Sequence, residues 1–211
     1  TANRRQRQMC IRDRAGTGLG ISRGLINSDI IEVLSSEGGH IEFAPKTPKE
    51  WELKVWLKDF LNLERISYER IISGEGLCNI AKWRFSYPDA INHSFQKILN
   101  ESKTSKNTHK KLASEICKFS AKGDSLLREI ENIWLSNYAS YLGDVALHEL
   151  CFGGLWISGG TAPKHFKNFK SDSFLKHFSD KGRYKDILKS IPVKVILDEE
   201  FGLFSAACRA K

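Results

Sequence analysis

Methionine is almost absent from this chain: its 211 residues contain one Met, which is Met9. Long apolar runs are also missing, and none approaches the roughly 20 residues that a bilayer-spanning helix needs. No stretch combines a basic start with an apolar core in the way a signal peptide does. We therefore expect a cytoplasmic protein with no membrane partner. An apolar content of 41% suffices for one full domain core, or for one large domain plus part of another.

Clustered cysteines are missing as well. The chain has five cysteines, which are widely scattered and form no C-x-x-C pair: Cys10, Cys78, Cys117, Cys151 and Cys208. This scatter favours neither a zinc site nor a disulfide framework. The histidines beyond residue 90 likewise show no metal-ligand spacing. We therefore predict reduced, buried thiols and no protein-held metal.

The positive charge of the chain is concentrated near its start. Residues 4–14 carry five Arg and one Asp, which is +4 of the net charge of +8. All eleven match one translated frame of a transposase-type sequencing adapter, so we interpret residues 1–14 as an artefactual tail. The alternative is a natural basic arm that binds nucleic acid. Because Met9 lies in this segment, we expect residues 15–211 to be the C-terminal part of a longer protein, with no nucleic-acid partner.

Strand patterns occur at both ends of the remaining chain, with helical patterns between them. Residues 18–35 predict a β-hairpin, residues 153–158 a buried strand that enters a glycine turn, and residues 192–197 a further strand. Apolar residues at helical spacing follow Thr47, where a capping box is expected, and continue from Leu112 to Leu150 with a break near Gly123. Shorter helices are expected near Ser67 and over 77–85 and 202–211, with a break at 73–76 and a loop at 101–110. This arrangement predicts an α/β fold.

An acid and an imidazole stand three residues apart, at Glu37 and His40, on either side of two glycines. Adjacent glycines let the backbone turn where a Cβ atom would clash. A carboxylate accepts hydrogen bonds from hydroxyl groups, and an imidazole donates or accepts them. The segment from Glu37 through Gly38 to His40 therefore suits a polyhydroxylated ligand, although many other ligands fit it when it is considered alone.

Two glycine turns and one acid are further candidates. Gly16-Thr17-Gly18 can aim backbone N–H groups at phosphate oxygens, although a simple tight turn explains it by itself. Gly159-Gly160 follows a buried strand and lets a flat base or ribose approach the backbone; a close helix–strand crossing is the alternative. Glu69, near the start of a helix, complements the helix dipole unless Glu37 and His40 lie beside it.

Together and in this order, these motifs resemble the bacterial glucokinase family of the actin-like ATPase and sugar-kinase superfamily. The resemblance runs from Ala15 to about Ala207, and five blocks carry it: AGTGLG, EGGHIEFAP, YERIISGEGL, FGGLWISGGTAPK and KGRYKDILKSIPVKVI. It implies the large lobe of a ribonuclease H-like fold over 15–211, a mixed sheet with helices packed on it. It also implies that residues 202–211 form a terminal helix that would pack toward a missing small domain.

The resemblance further implies that the full-length parent transfers the γ-phosphoryl group of ATP to the 6-hydroxyl of glucose. Mg²⁺ would be carried by the nucleotide. The resemblance leaves open whether the protein forms a homodimer. The positions that match the family's glucose-binding residues are Glu37, Gly38, His40 and Glu69. Those that match its ATP-binding residues are Gly16, Thr17, Gly18, Gly159 and Gly160.

The catalytic part of the family pattern has no counterpart in this chain. The family's first phosphate loop, and the Asn-Asp pair whose Asp is the general base, would both lie upstream of Ala15. No Asp of this sequence is therefore assigned the role of general base, and no residue is assigned as catalytic. We expect this chain alone to be inactive.

Two other functions remain open. A related hexose or N-acetylhexosamine kinase is one, although the zinc-binding Cys cluster usual in the repressor and kinase relatives is missing here. A sugar-sensing regulator that kept the fold without catalysis is the other. A helix-turn-helix in the upstream sequence would favour the regulator, and an Asn-Asp pair would favour the kinase.

Overall fold

The computed structural model describes residues 8–15, 18–27, 30–101 and 108–198, which fall into two compact units. The described part of the first unit comprises 8–15, 20–27, 30–38 and 139–198, and that of the second comprises 18–19, 39–101 and 108–138. The division into a tail over 1–14 and one domain over 15–211 stays a prediction. The helix expected at 202–211 lies outside the described residues.

The first unit is built on a mixed β-sheet. Its described strands are β1 (Gln8–Ala15), β2 (Leu19–Asn27), β3 (Ile30–Ser36), β4 (Gly154–Ser158) and β5 (Val193–Val195). Their order is β3-β2-β1-β4-β5. Strands β2 and β3 form the predicted antiparallel hairpin, while β4 is parallel to both β1 and β5. The expected α/β fold class, with a mixed sheet and helices, is confirmed.

Strand β1 consists largely of the residues that match the sequencing adapter. It pairs with β4 from Cys10 opposite Gly154 to Arg14 opposite Ser158, and the side chain of Ile11 is fully buried. Backbone N–H and C=O groups form hydrogen bonds whatever the side chains are. Residues interpreted as an artefactual tail therefore still form a strand of the sheet. Its artefactual origin stays a prediction.

Helices of the first unit lie in its C-terminal part. They are the second half of α6 (Ser125–Glu149), α7 (Phe166–Phe169), α8 (Asp172–Ser179) and α9 (Lys185–Ser190). Helix α6 approaches the end of α8 closely, because a Cβ atom on Gly143 would lie 2.2 Å from the carbonyl oxygen of Phe178. Phe174 and Phe178 are buried as the apolar pattern of α8 indicates, whereas Leu175 is 44% exposed.

Helices make up most of the second unit. They are α1 (Pro48–Leu61), α2 (Glu69–Ile72), α3 (Gly74–Arg84), α4 (Phe95–Glu101), α5 (Thr108–Ala121) and the first half of α6. Helix α1 begins with the predicted capping box: the Thr47 hydroxyl accepts from the Glu50 N–H at 3.2 Å, and the Glu50 carboxylate accepts from the Thr47 N–H at 3.2 Å. The predicted break near Gly123 separates α5 from α6, and this glycine has a φ of +99°.

Two predicted boundaries in this unit were wrong. The break expected over 73–76 is confined to Ser73, which separates α2 from α3; α3 begins at Gly74 because the Ser73 hydroxyl accepts from the Gly76 N–H at 3.0 Å and caps the helix. A Cβ atom on Gly76 would lie 2.3 Å from the backbone of Ile71, so Gly76 allows close packing of α3 on α2. The expected loop at 101–110 begins and ends in helix, since α4 includes Glu101 and α5 starts at Thr108.

The core of the second unit is centred on Trp134 of α6. Its side chain is fully buried, its ring lies 5.3 Å from that of Tyr138, and its indole N–H donates to the carbonyl oxygen of Ser73 at 3.1 Å. That carbonyl belongs to the residue between α2 and α3. The indole therefore fixes α6 against the α2–α3 turn by both apolar contact and a hydrogen bond.

Arg84 organises an ionic network on the surface of this core. Its guanidinium makes two hydrogen bonds to Asp89, at 2.9 and 2.6 Å, and one to Glu129 at 2.9 Å. Lys49 also donates to Glu129. The Arg84 hydrogen bonds hold the pKa of Asp89 below its ordinary value. Burial opposes the ionisation of Glu129, but hydrogen bonds from Lys49 and Arg84 outweigh it and lower its pKa.

We expect this network to make the stability of the chain depend on pH. A carboxyl group whose pKa is lowered by folding stabilises the fold above its ordinary pKa, and this contribution is lost as the pH falls through the lowered value. The free energy of unfolding should therefore fall as the pH drops below about 4.5, the ordinary value for Glu129. In Arg84→Met, which removes the guanidinium, the fall should be shallower. Urea titrations from pH 7 to 3 would measure both, and equal slopes would contradict the prediction.

The prediction of buried thiols is confirmed for Cys78 and Cys151 and is wrong for Cys10 and Cys117, which are partly exposed. Burial raises the pKa values of Cys78 and Cys151 to about 12 and about 11, so both stay protonated and unreactive. Cys208 lies outside the described residues. Among the described helices, none combines the length and the apolar character that crossing a bilayer requires.

Candidate functional site

A short antiparallel pairing in the second unit ends next to His40 and Glu69. The Phe43 N–H donates to the Ile66 carbonyl at 2.8 Å, the Tyr68 N–H donates to the Ile41 carbonyl at 3.0 Å, and Glu42 forms a β-bridge with Ser67. In antiparallel pairing, one step along one segment matches one step back along the other. His40 directly precedes this pairing and Glu69 directly follows it, so the two residues stand at the same end of the pairing.

Side chains on both segments hold this pairing in place. The rings of Phe43 and Tyr68 are both buried and meet edge to face, with their centroids 5.5 Å apart. Arg65, just before the second segment, donates from its guanidinium to the His40 carbonyl oxygen at 2.5 Å. An apolar contact and a charged donor therefore both hold the two segments together.

Glu69 also contacts the residues that follow the first glycine motif. Its Oε2 atom accepts a hydrogen bond from the Leu19 N–H at 2.9 Å. A Cβ atom on Gly18 would lie 2.7 Å from the same oxygen. The structure thus brings together Gly18 and Glu69, two predicted site residues that are 51 positions apart in the sequence. Gly16 and Thr17, the other residues of that motif, lie outside the described residues.

Gly39 lies against the backbone of Leu19. The segment Gly38–His40 forms a single 3-10 turn, and a Cβ atom on Gly39 would come within 2.2 Å of the Leu19 carbonyl oxygen. Any side chain here would force the two backbones apart. The requirement for glycine at this position therefore comes from close backbone approach, and not from the turn alone.

Glu37 and Gly38, the first two residues of the predicted sugar motif, belong to the first unit, where they follow β3. The Ser36 hydroxyl accepts a hydrogen bond from the Gly38 N–H at 3.1 Å. A Cβ atom on Gly38 would lie 2.9 Å from the Cδ1 atom of Ile21 on β2, so Gly38 packs directly on the hairpin. The side chain of Glu37 is exposed.

Gly159 and Gly160 follow β4 at the edge of the sheet where α/β proteins bind their ligands. Because β1, β4 and β5 are parallel, their carboxyl ends lie at the same edge. Gly159 has a φ of +98°, and its carbonyl oxygen accepts from the Ala162 N–H at 3.0 Å. No described atom lies within 4 Å of the Cβ position of Gly160. This open space fits a flat group approaching the backbone, and it does not fit a close helix crossing.

Three features of the site were not foreseen from the sequence: the Leu19 N–H on Glu69, the Arg65 contact and the close approach of Gly39. Backbone donors leave no mark in a sequence, so the role of Leu19 could not be predicted. The pairing of 41–43 with 66–68 did leave a signal, because Ile41 and Phe43 alternate with Glu42 as in a strand.

The fold and this arrangement define a class of protein. A mixed α/β sheet with a glycine turn at its parallel carboxyl ends suits a nucleotide, and carboxylate and imidazole groups suit hydroxyl groups. Solved sugar kinases have this fold. A family model described as Glucokinase matches residues 2–211. This chain belongs to the glucokinase family.

Individual relatives agree with this assignment. Over 207 residues the chain is 37% identical to a glucokinase of Synechocystis sp., covering 93% of this chain and 58% of that protein. A solved glucokinase from an Antarctic psychrotroph superposes with a TM-score of 0.74 at 25% identity, covering 98% of this chain and 59% of that one. Balamuthia mandrillaris glucokinase, solved in complex with glucose, shares the fold with a TM-score of 0.68 at 20% identity, covering 88% and 49%. The chain therefore spans less than two thirds of the length of these relatives.

Proposed function

We propose that the full-length parent of this chain is an ATP-dependent glucokinase, which transfers the γ-phosphoryl group of ATP to the 6-hydroxyl of glucose and releases ADP. The observation that carries this proposal is the position of Glu69. Its Oε2 atom accepts from the Leu19 N–H and lies against Gly18, so a side chain that we assign to the sugar meets a motif that we assign to the phosphates.

In this proposal, four residues hold the sugar: Glu37, Gly38, His40 and Glu69. The carboxylates accept from sugar hydroxyls, and the imidazole donates or accepts. Fixing the sugar through several hydroxyls holds the attacking oxygen in place, which is a main source of rate in phosphoryl transfer. A sugar lacking one of these hydroxyls would leave a site group unpaired and would bind less tightly.

Five residues would hold ATP: Gly16, Thr17, Gly18, Gly159 and Gly160. The space at Gly160 admits the base or ribose, and the first motif would face the phosphates. Mg²⁺ would arrive with the nucleotide and neutralise charge on its phosphates. No residue of this chain is assigned as general base, so we propose that the chain alone binds its ligands without turning them over. We place the parent in the cytoplasm, and a homodimer stays a proposal for light scattering to test.

Glucose binding tests the sugar site directly. We expect calorimetry to show glucose binding to the chain, and Glu69→Gln to weaken it about tenfold or more, because a hydrogen bond to a charged group is lost. Glu64→Gln is the matched control, since Glu64 is an exposed acid in the preceding loop and should leave the affinity unchanged. Equal affinities in all three proteins would contradict the site.

A coupled ADP-release assay tests the activity. We expect no glucose-dependent turnover from this chain, and glucose-dependent turnover once its upstream coding sequence is recovered and joined to it. N-acetylhexosamines in the same assay separate a glucokinase from a hexosamine kinase. An extended protein that binds glucose without releasing ADP would instead indicate a sugar-sensing regulator.

A further inference from the structure

We propose that Glu69 has a second role as a positioning residue: its carboxylate fixes the segment Gly18–Leu19 and thereby links the sugar side of the site to the phosphate side. The identity of the two ligands rests on the proposed function above. The link itself rests on contacts within the second unit, which hold whichever ligand is bound.

The first step is the hydrogen bond between the Leu19 N–H and Oε2 of Glu69, at 2.9 Å. Leu19 is 4% exposed and the hydrogen bond is partly buried, so removal of the carboxylate leaves this N–H less accessible to water than a surface amide. A buried donor left unsatisfied is costly, and a donor to a charged acceptor makes one of the stronger hydrogen bonds. Glu69 therefore fixes the backbone of Gly18–Leu19.

The second step is the absence of a side chain on Gly18. A Cβ atom there would lie 2.7 Å from Oε2, and the next nearest atom is the carboxyl carbon of Glu69 at 3.5 Å. Because the clash would be with the end of a flexible side chain, it is the carboxylate that would move. A change at Gly18 is thus passed on to the group that we assign to the sugar.

The third step is that one carboxylate can serve both sides at once. A carboxylate has two oxygen atoms and room for about four hydrogen bonds, of which the Leu19 N–H takes one. A sugar that orders the carboxylate orders Gly18–Leu19 with it. Coupling between two binding sites is reciprocal, so glucose should raise the affinity for nucleotide by the same factor as nucleotide raises the affinity for glucose.

The link predicts that a substitution on one side of the site weakens binding of the ligand on the other side. We expect Glu69→Ala to weaken binding of AMPPNP by about tenfold in the absence of glucose, and Gly18→Ala to weaken binding of glucose by about tenfold in the absence of nucleotide. Glu69→Gln keeps an acceptor oxygen, so it should retain AMPPNP affinity while losing glucose affinity. Gly20→Ala is the matched control, since no described atom lies within 4 Å of its Cβ position. Calorimetry on the full chain measures all four variants.

Hydrogen exchange at the Leu19 amide separates the positioning role from the proposed function. We expect exchange to be about tenfold faster in Glu69→Ala than in the wild type, with Glu69→Gln close to the wild type. If the wild type bound neither ligand while this pattern held, the proposed function would fail and the positioning contact would stand. Unchanged exchange in Glu69→Ala, or effects on one ligand only from Glu69→Ala and Gly18→Ala, would overturn the link.

Discussion

Gly39→Ala should lower the affinity of the chain for glucose by roughly a hundredfold, the largest functional effect that we expect from a single methyl group. The added Cβ atom would lie 2.2 Å from the Leu19 carbonyl oxygen and 3.0 Å from the Leu19 Cβ atom. Neither neighbour is a flexible end, so the turn Gly38–His40 must shift as a whole. A displacement of about 1 Å in a positioning group can cost on the order of a hundredfold in reaction rate, and we expect a loss of similar size in glucose affinity.

Glucose calorimetry and thermal unfolding should be read together for this variant. Gly20→Ala, whose Cβ would meet no described atom within 4 Å, controls for the loss of a glycine in the neighbouring strand. We expect the control to bind glucose like the wild type. If Gly39→Ala kept the affinity of the control, the close approach of Gly39 to Leu19 would have no bearing on the sugar site.

Trp134→Ala should lower the free energy of unfolding by about 4 kcal/mol, the largest effect on stability that we expect. The indole is fully buried, so its removal leaves a cavity, and truncating a buried Trp or Phe typically costs about 3–5 kcal/mol. It also leaves the Ser73 carbonyl oxygen without the indole donor at 3.1 Å. Trp134→Phe, which keeps most of the volume, should cost less.

Urea titration followed by circular dichroism measures this difference. The matched control is Trp51→Ala, because Trp51 lies on α1 with 56% of its surface exposed. We expect the control to change the free energy of unfolding by less than about 0.5 kcal/mol, as surface substitutions usually do. Similar losses from Trp51 and Trp134 would contradict the central place of Trp134 in the core.

Local signals predicted much of the fold. The capping box at Thr47 and Glu50, the hairpin and the break near Gly123 all depend on residues close in sequence, and all three are in the structure. Long-range packing explains the errors. Gly74 and Gly76 indicated a break of four residues, but the break is confined to Ser73: its hydroxyl caps α3, and Gly76 packs against the backbone of Ile71.

The sequence predicted which residues form the candidate site, but it did not predict all of their contacts. His40 and Glu69 were chosen for their chemistry and through a family resemblance, and the structure places them at the same end of one short pairing. The family is confirmed, whereas the roles of the individual site residues stay predictions. What no sequence pattern could give was the contact of Glu69 with a backbone N–H, since every residue except proline carries that donor.

The pairing of 41–43 with 66–68 also determines where this chain tolerates changes in length. Paired residue numbers add to 109, as for Glu42 with Ser67, and His40 and Glu69 stand at the end of this pairing. Residues inserted into the exposed stretch 62–65, before Arg65, would lengthen the connection without altering which residues face each other. Deleting one residue between Ile41 and Phe43 would slide Gly39 into the place of His40. Relatives of different length should therefore vary between α1 and the second paired segment, and keep the spacing from the histidine to the first paired residues.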